Sequence, residues 1–320
     1  MRRVAVALLA PIAVTVAVAG CGSSTSTATS SNANSAVTIS GPAGKDPVVT
    51  IPAKDATSKL VTKTLTTGPG PVLAPTDSIL ANFSVYIWRG KTHHLLFSSF
   101  RPGPSHGPEV LPVTIPLSGL QTALSGQHVG SRVFAVLPPK YGYGQAGNSQ
   151  LGVQPTDTLV WVMDILKSFT PAESATGQHV SDGGGALPKV SATTGSSPTI
   201  TIPKSAPPSK LEVKTLIKGT GTPVKAGQGI VVRYVGSIWR TGNVFNNNWP
   251  TAAQPSAPPN LFHLGGLIPA WNTGLVGLPV GSRVMLVVPP AEGYGSKGQP
   301  SAGIKGTDTL VFVVDILAAT

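Results

Sequence analysis

The sequence predicts an α+β protein built from two tandem copies of one domain, each an antiparallel sheet packed on a single short helix. Two observations carry that prediction. The first is an internal repeat. "TIPAKDATSKL" begins at Thr50 and "TIPKSAPPSKL" at Thr201; "GSRVFAVLPP" begins at Gly130 and "GSRVMLVVPP" at Gly281; "TDTLVWVMDIL" begins at Thr156 and "TDTLVFVVDIL" at Thr307. Every pair is shifted by the same 151 positions. A unit that long is a duplicated domain rather than a solenoid repeat. The second observation is the texture of each copy: short apolar, β-branched runs bounded by glycine and proline, with one stretch that reads as a helix.

The N-terminus is a targeting segment. Arg2 and Arg3 precede the apolar run Val4 to Val18, and the small residues Ala19 and Gly20 lead to Cys21, the single cysteine among 320 residues. A secretory signal or an uncleaved anchor would share the apolar run. A lone cysteine at the expected cut resembles the lipobox of bacterial lipoproteins, in which that cysteine is lipidated and holds the protein on a membrane. Residues 1–20 are therefore expected as a signal peptide, with the mature protein extracytoplasmic and anchored to the cell membrane through Cys21. Residues 21–46, opening with "GSSTSTATSSNANSA", are expected as a flexible tether. Domain 1 is expected at 47–170, a Gly/Ser/Thr/Pro-rich linker at 171–198 and domain 2 at 199–320.

Composition agrees with that layout. The length suits two domains with linkers. Thirty-seven glycines and 31 prolines favour strands and turns over long helices. The net charge of +11 is spread thinly, with no dense basic block, so nucleic acid is not an expected partner. With Cys21 used, neither a disulfide within the chain nor a cysteine nucleophile is expected.

Three strands are plain in the second copy: "GIVVRYVGSIW" (Gly229 to Trp239), "RVMLVVPP" (Arg283 to Pro290) and "DTLVFVVDIL" (Asp308 to Leu317). The helix is "IPAWNTGLVGL", with Pro269 suited to a first turn and Gly277 to the end. Its counterpart in the first copy is "LSGLQTALSGQ".

The second copy sets out, in order, "V-x-Y-x-G" at Tyr234, "G-x-x-F" at Phe245, "F-x-L-G" leading to "I-P-x-W" at Trp271, "V-G-x-R", "P-P-x-x-G-Y-G" at Tyr294 and "T-L-V-F-x-V-x-I-L" at Phe312. This series resembles the FKBP family of peptidyl-prolyl isomerases over roughly Pro208 to Thr320, and more weakly over Thr57 to Phe169. The resemblance implies a half-barrel sheet wrapped around the helix, with an apolar cavity between them. It makes Trp271 the floor for a substrate proline ring, and Tyr234, Phe245, Ile268 and Phe312 the walls. Leu267 would offer its backbone N–H, Tyr294 a hydroxyl to a peptide carbonyl, and Ile304 a cap on one side. Proline-containing polypeptides and macrolide inhibitors of the FK506 type are the implied ligands. No metal and no cofactor is implied.

The two copies also control for each other. At the 151 shift, Trp271 faces Leu120, Tyr234 faces Phe83, Ile268 faces Leu117, Phe312 faces Trp161, and Tyr294 faces Tyr143. Phe245 is matched to Phe97 at a shift of 148, and Asn246 to Ser98. On this reading domain 1 keeps the scaffold and an apolar cavity but lacks the indole floor. In domain 2, Asn246 stands where the family usually has Asp, which bears on rate more than on binding. Two functions stay open: a prolyl isomerase for exported proteins, active mainly through domain 2, or a non-catalytic peptide-binding protein on the same fold.

Two other patterns point to weaker readings. "GYGSKG" and "GYGQAG" match G-x-G-x-x-G, yet follow a proline pair and open no helix, against a dinucleotide site. His93 and His94 alternate across a strand, and His106 stands apart, so solvated histidines are expected rather than a metal site.

Overall fold

The computed structural model describes residues 37–101, 107–191 and 193–320. The expected signal peptide, Cys21 and His106 lie outside the described residues. The chain divides into two compact units, Met1–Thr170 and Pro171–Thr320.

Unit 1 contains β1 (Thr38–Ser40), β2 (Val48–Thr50), β3 (Val61–Thr66), β4 (Ser78–Arg89), β5 (Thr92–Ser98), β6 (Glu109–Pro112), α1 (Ser118–Leu124), β7 (Arg132–Leu137) and β8 (Thr158–Phe169). Unit 2 contains β9 (Gln178–His179), β10 (Lys189–Val190), β11 (Ile200–Thr201), β12 (Glu212–Lys218), β13 (Gly229–Ile238), β14 (Val244–Asn247), β15 (Asn260–His263), α2 (Pro269–Gly274), β16 (Arg283–Val288) and β17 (Leu310–Ala319). The sheets repeat one order, β5-β4-β8-β7-β3 and β14-β13-β17-β16-β12, with β6 added to β4 and β15 to β13. The pairings are antiparallel.

Each sheet is apolar on both faces, which explains why its inner strands read as continuous rather than alternating apolar runs. Along β17, Leu310, Phe312, Val314 and Ile316 join the core that holds α2, while Val311 and Val313 point the other way. β16 divides likewise: Val284, Leu286 and Val288 face the helix, Met285 and Val287 the opposite side. Pro269 occupies the first turn of α2, and Gly277, at φ +85°, lies just past the helix in the left-handed region.

A strap covers the outer face of each sheet, and here the structure departs from the expected tether and linker. Val37, Ile39 and Ile51 pack on Trp88, Phe134 and Val162 in unit 1. Leu187, Val190, Ile200 and Ile202 pack on Leu216, Met285 and Val313 in unit 2. The β1–β2 and β10–β11 hairpins close at Thr38↔Thr50 and Lys189↔Thr201, again 151 apart. So the end of the expected tether, 37–46, and much of the expected linker, 171–198, belong to folded units. Their Gly/Ser-rich composition concealed a few well-placed aliphatic residues. β9 also pairs with β12, and the Thr176 N–H donates to the Gly281 carbonyl.

A buried ion pair fastens each strap. Arg283 donates to Asp315 at 2.6 and 2.8 Å, and its remaining N–H reaches the Thr193 carbonyl at 2.6 Å. The Ala175 N–H donates to the Asp315 carboxylate at 2.8 Å. In unit 1, Arg132 pairs with Asp164 and donates to the Gly41 and Lys45 carbonyls, while the Gly44 N–H donates back to Asp164. These are the Arg of "GSRV" and the Asp of "DIL". Trp88 and Trp239 add matching indole bonds to the Lys54 and Ser205 carbonyls.

Candidate functional site

The inner face of the second sheet opens into a cavity of about 260 Å³. Six elements build it: β13 brings Tyr234, β14 Phe245 and Asn246, β15 Phe262, the turn before α2 Leu267 and Ile268, α2 Trp271, and β17 Phe312. The loop after β16 adds Tyr294. Trp271 is the central ring. Tyr234, Phe262 and Phe312 stand perpendicular to its indole, with centroids 5.3, 5.6 and 5.5 Å away. Phe245 then meets Phe312 edge-on at 5.5 Å. Edge-to-face pairs favour such rings beyond the area they bury, so the box is stiff before a ligand arrives.

One glycine makes the box possible. A Cβ at Gly236 would lie 2.7 Å from Phe245 Cζ and 3.0 Å from Phe312 Cε1. The Gly of "V-x-Y-x-G" is therefore needed for close approach. Phe245 sits at a β-bulge, between the pairs Gly236↔Asn246 and Ser237↔Val244. A bulge re-aims a side chain, here toward the cavity. Asn248 fixes the neighbouring strands: its side chain accepts from the Tyr234 N–H at 2.7 Å and donates to the Val232 carbonyl and to Asn260.

The polar groups of the cavity are uncharged. Burial raises the Tyr234 hydroxyl above its ordinary pKa, with Tyr294 adding to the shift, and burial likewise raises Tyr294. The Asn246 side chain is exposed and makes no hydrogen bond to another described residue. The Leu267 N–H also has no acceptor among the described residues, while its carbonyl accepts from Asn272 at 3.0 Å. The site thus offers hydroxyl, amide and N–H groups around an aromatic floor.

Of the expected site residues, Tyr234, Phe245, Asn246, Leu267, Ile268, Trp271, Tyr294 and Phe312 share the cavity wall. Ile304 does not: it is buried in the adjoining core. Phe262 lines the cavity and was missed. The signal was present in "FHLGG", on a strand whose Phe262 pairs with inward-facing Ile230.

The first unit differs most here. Phe83, Leu117, Leu120 and Trp161 are all buried. Phe83 lies 5.2 Å from both Phe97 and Trp161, so three rings pack together on the inner face of this unit. Strand register also corrects the counterparts of the hairpin. Val85 pairs with Phe97 as Gly236 pairs with Asn246, and Ser84 pairs with Ser98 as Val235 pairs with Asn247. The shift is 149, not 148. Phe97 stands in the place of Asn246, Leu96 in that of Phe245, and Ser98 in that of Asn247. Matching aromatic to aromatic misplaced the gap. The physical reason for the exchange is Val85: it fills the room that Gly236 leaves for Phe245 in unit 2. The Trp161 indole N–H is buried without a hydrogen-bond partner among the described residues.

The glycine-rich segments form short 3₁₀ turns at Gly144–Ala146 and Gly295–Lys297 rather than opening a helix. His93 and His94 are exposed on β5.

Residues 220–317 match the family model of the FKBP-type peptidyl-prolyl cis-trans isomerases. The chain is 34% identical over 123 residues to an FK506-binding protein of Streptomyces anulatus, covering 38% of this chain and 95% of that one. It is 37% identical over 99 residues to the FKBP-type peptidyl-prolyl cis-trans isomerase FkpA of Escherichia coli, covering 31% of this chain and 34% of that one. The crystal structure of that FkpA aligns with a TM-score of 0.30 at 33% identity, over 34% of this chain and 48% of the other.

Proposed function

Because the chain belongs to the FKBP-type peptidyl-prolyl cis-trans isomerase family, we propose that it accelerates X–Pro isomerisation in exported polypeptides and that the second domain carries the activity. The observation that supports this most is the cavity floored by Trp271 and boxed by perpendicular rings. A planar amide resists rotation by about 18–20 kcal/mol because resonance separates charge across it. The twisted amide is less polar. A dry aromatic cavity therefore favours the twisted state over the planar one, relative to water. In this reading the proline ring rests on Trp271, between Tyr234, Phe245, Ile268 and Phe312. The Leu267 N–H and the Tyr294 hydroxyl hold peptide carbonyls, and Ile304 supports the wall from behind. FK506-type macrolides would compete for the same cavity.

The first domain, in this reading, does not isomerise, since Leu120 stands in the place of the Trp271 floor and Phe83 in that of Tyr234. Lipid anchoring through Cys21, and with it an extracytoplasmic location, rests on the sequence signature alone. Asn246 in place of a carboxylate is what favours a second reading, a slow or non-catalytic peptide binder.

A protease-coupled isomerisation assay on the mature chain decides between the two. We expect Trp271→Leu to lower kcat/KM by at least about ten-fold while the fold persists, because Leu120 fills that place in the other domain. A wild-type rate equal to the uncatalysed one would leave only the binding reading.

A further inference from the structure

The second domain's cavity holds no carboxylate and no ammonium group: its polar side chains are the hydroxyls of Tyr234 and Tyr294 and the Asn246 amide. Asn246 is exposed at the mouth, opposite Gly236, with its amide unengaged by any described residue. The unit that holds the cavity is net positive, although Glu292 stands two residues before Tyr294. Residues 171–320 carry eight lysines, three arginines and six Asp or Glu, a net of +5. Asp308 and Asp315 are taken up by Arg240 and Arg283, and Asp182 by His179. All eight lysines are exposed, and none forms an ion pair among the described residues. Uncompensated surface cations set up a positive potential that reaches about a Debye length, roughly 8 Å at physiological salt.

We infer that this site prefers prolines flanked by acidic residues, and that Asn246 is a specificity-determining residue. The inference rests on the isomerase reading above. An amide can donate a hydrogen bond to a Glu or Asp side chain next to the proline. A carboxylate at the same position would repel that side chain and draw in Lys or Arg instead. The unit's net positive charge favours the approach of acidic segments over basic ones, and the uncharged cavity wall lets them settle.

The test compares kcat/KM for Glu-Pro, Leu-Pro and Lys-Pro peptides of otherwise one sequence, at low and high ionic strength. The wild type is expected to favour Glu-Pro over Lys-Pro by about three- to ten-fold at low salt, with the ratio shrinking as salt screens the field. Asn246→Asp should lower that ratio several-fold, and Asn246→Ala, which removes the donor but adds no charge, should lower it by a smaller factor. A wild-type ratio near one, or a ratio unmoved by Asn246→Asp, overturns the inference. Leu-Pro serves as the reference. No acceleration of Leu-Pro refutes the isomerase reading itself, whereas acceleration of Leu-Pro with a flat Glu-to-Lys ratio refutes only the selectivity.

Discussion

Tyr234 and Tyr294 bring the only ionisable side chains to the cavity wall, and burial raises both above their ordinary value near 10. A phenol with a raised pKa stays neutral through the physiological range and loses its proton only above pH 10. For an uncharged peptide, kcat/KM is therefore expected to be flat from about pH 5 to about pH 9. A titration step centred inside that window would reveal a charged group acting at the reacting amide. At this scale much of the site was legible, because aromatic residues at fixed motif positions declare themselves. Phe262 was not, since one phenylalanine on a strand looks like core until its register is known. Ile304 was assigned to the cavity wall, yet it is buried in the core that Tyr234, Trp271 and Phe312 share. Asn248 gave no signal at all: it acts through backbone groups that only the folded strands bring within reach.

At the scale of elements, the straps are what the sequence hid. Arg283 and Asp315 are each about 1% exposed and hold strap carbonyls and amides as well as each other. Removing one partner leaves a buried charge without its counter-ion. Asp315→Ala is expected to lower stability by about 3–5 kcal/mol, read from urea unfolding. Loss of less than 1 kcal/mol would mean that water reaches Arg283 and that the strap is not fastened there. The "GSRV" and "DIL" motifs were visible as repeats. Their purpose was not, because a strap residue and the ion pair beneath it lie roughly 90 to 140 positions apart in the chain. The hairpin β13–β14 makes the same point. Its length differs from β4–β5 by two residues, and only the ladder shows where the difference falls.

For the molecule as a whole, the strap sets where the second domain begins. A fragment spanning 171–320 keeps Leu187, Val190, Ile200 and Ile202 over the outer face of the sheet. A fragment spanning 208–320 keeps every cavity residue and loses that cover. The longer fragment is expected to unfold cooperatively and to isomerise. The shorter one should be less stable by about 3–6 kcal/mol, after the ordering of the strap offsets part of the buried area. Equal stability for the two fragments would mean that the strap is an ornament on the fold.

The sequence by itself determined the duplication, the strand texture, the two short helices and the order of the cavity aromatics. Each of these is a local pattern or a fixed spacing, which a linear text preserves. The tertiary structure decided which residues stand at corresponding places in the two copies. It sets Gly236 against Val85 and Asn246 against Phe97, pairs fixed by strand register across a hairpin of unequal length. It also decided that low-complexity segments fold onto the sheets. A few aliphatic residues and a buried ion pair suffice to hold them, and neither acts until distant strands have come together.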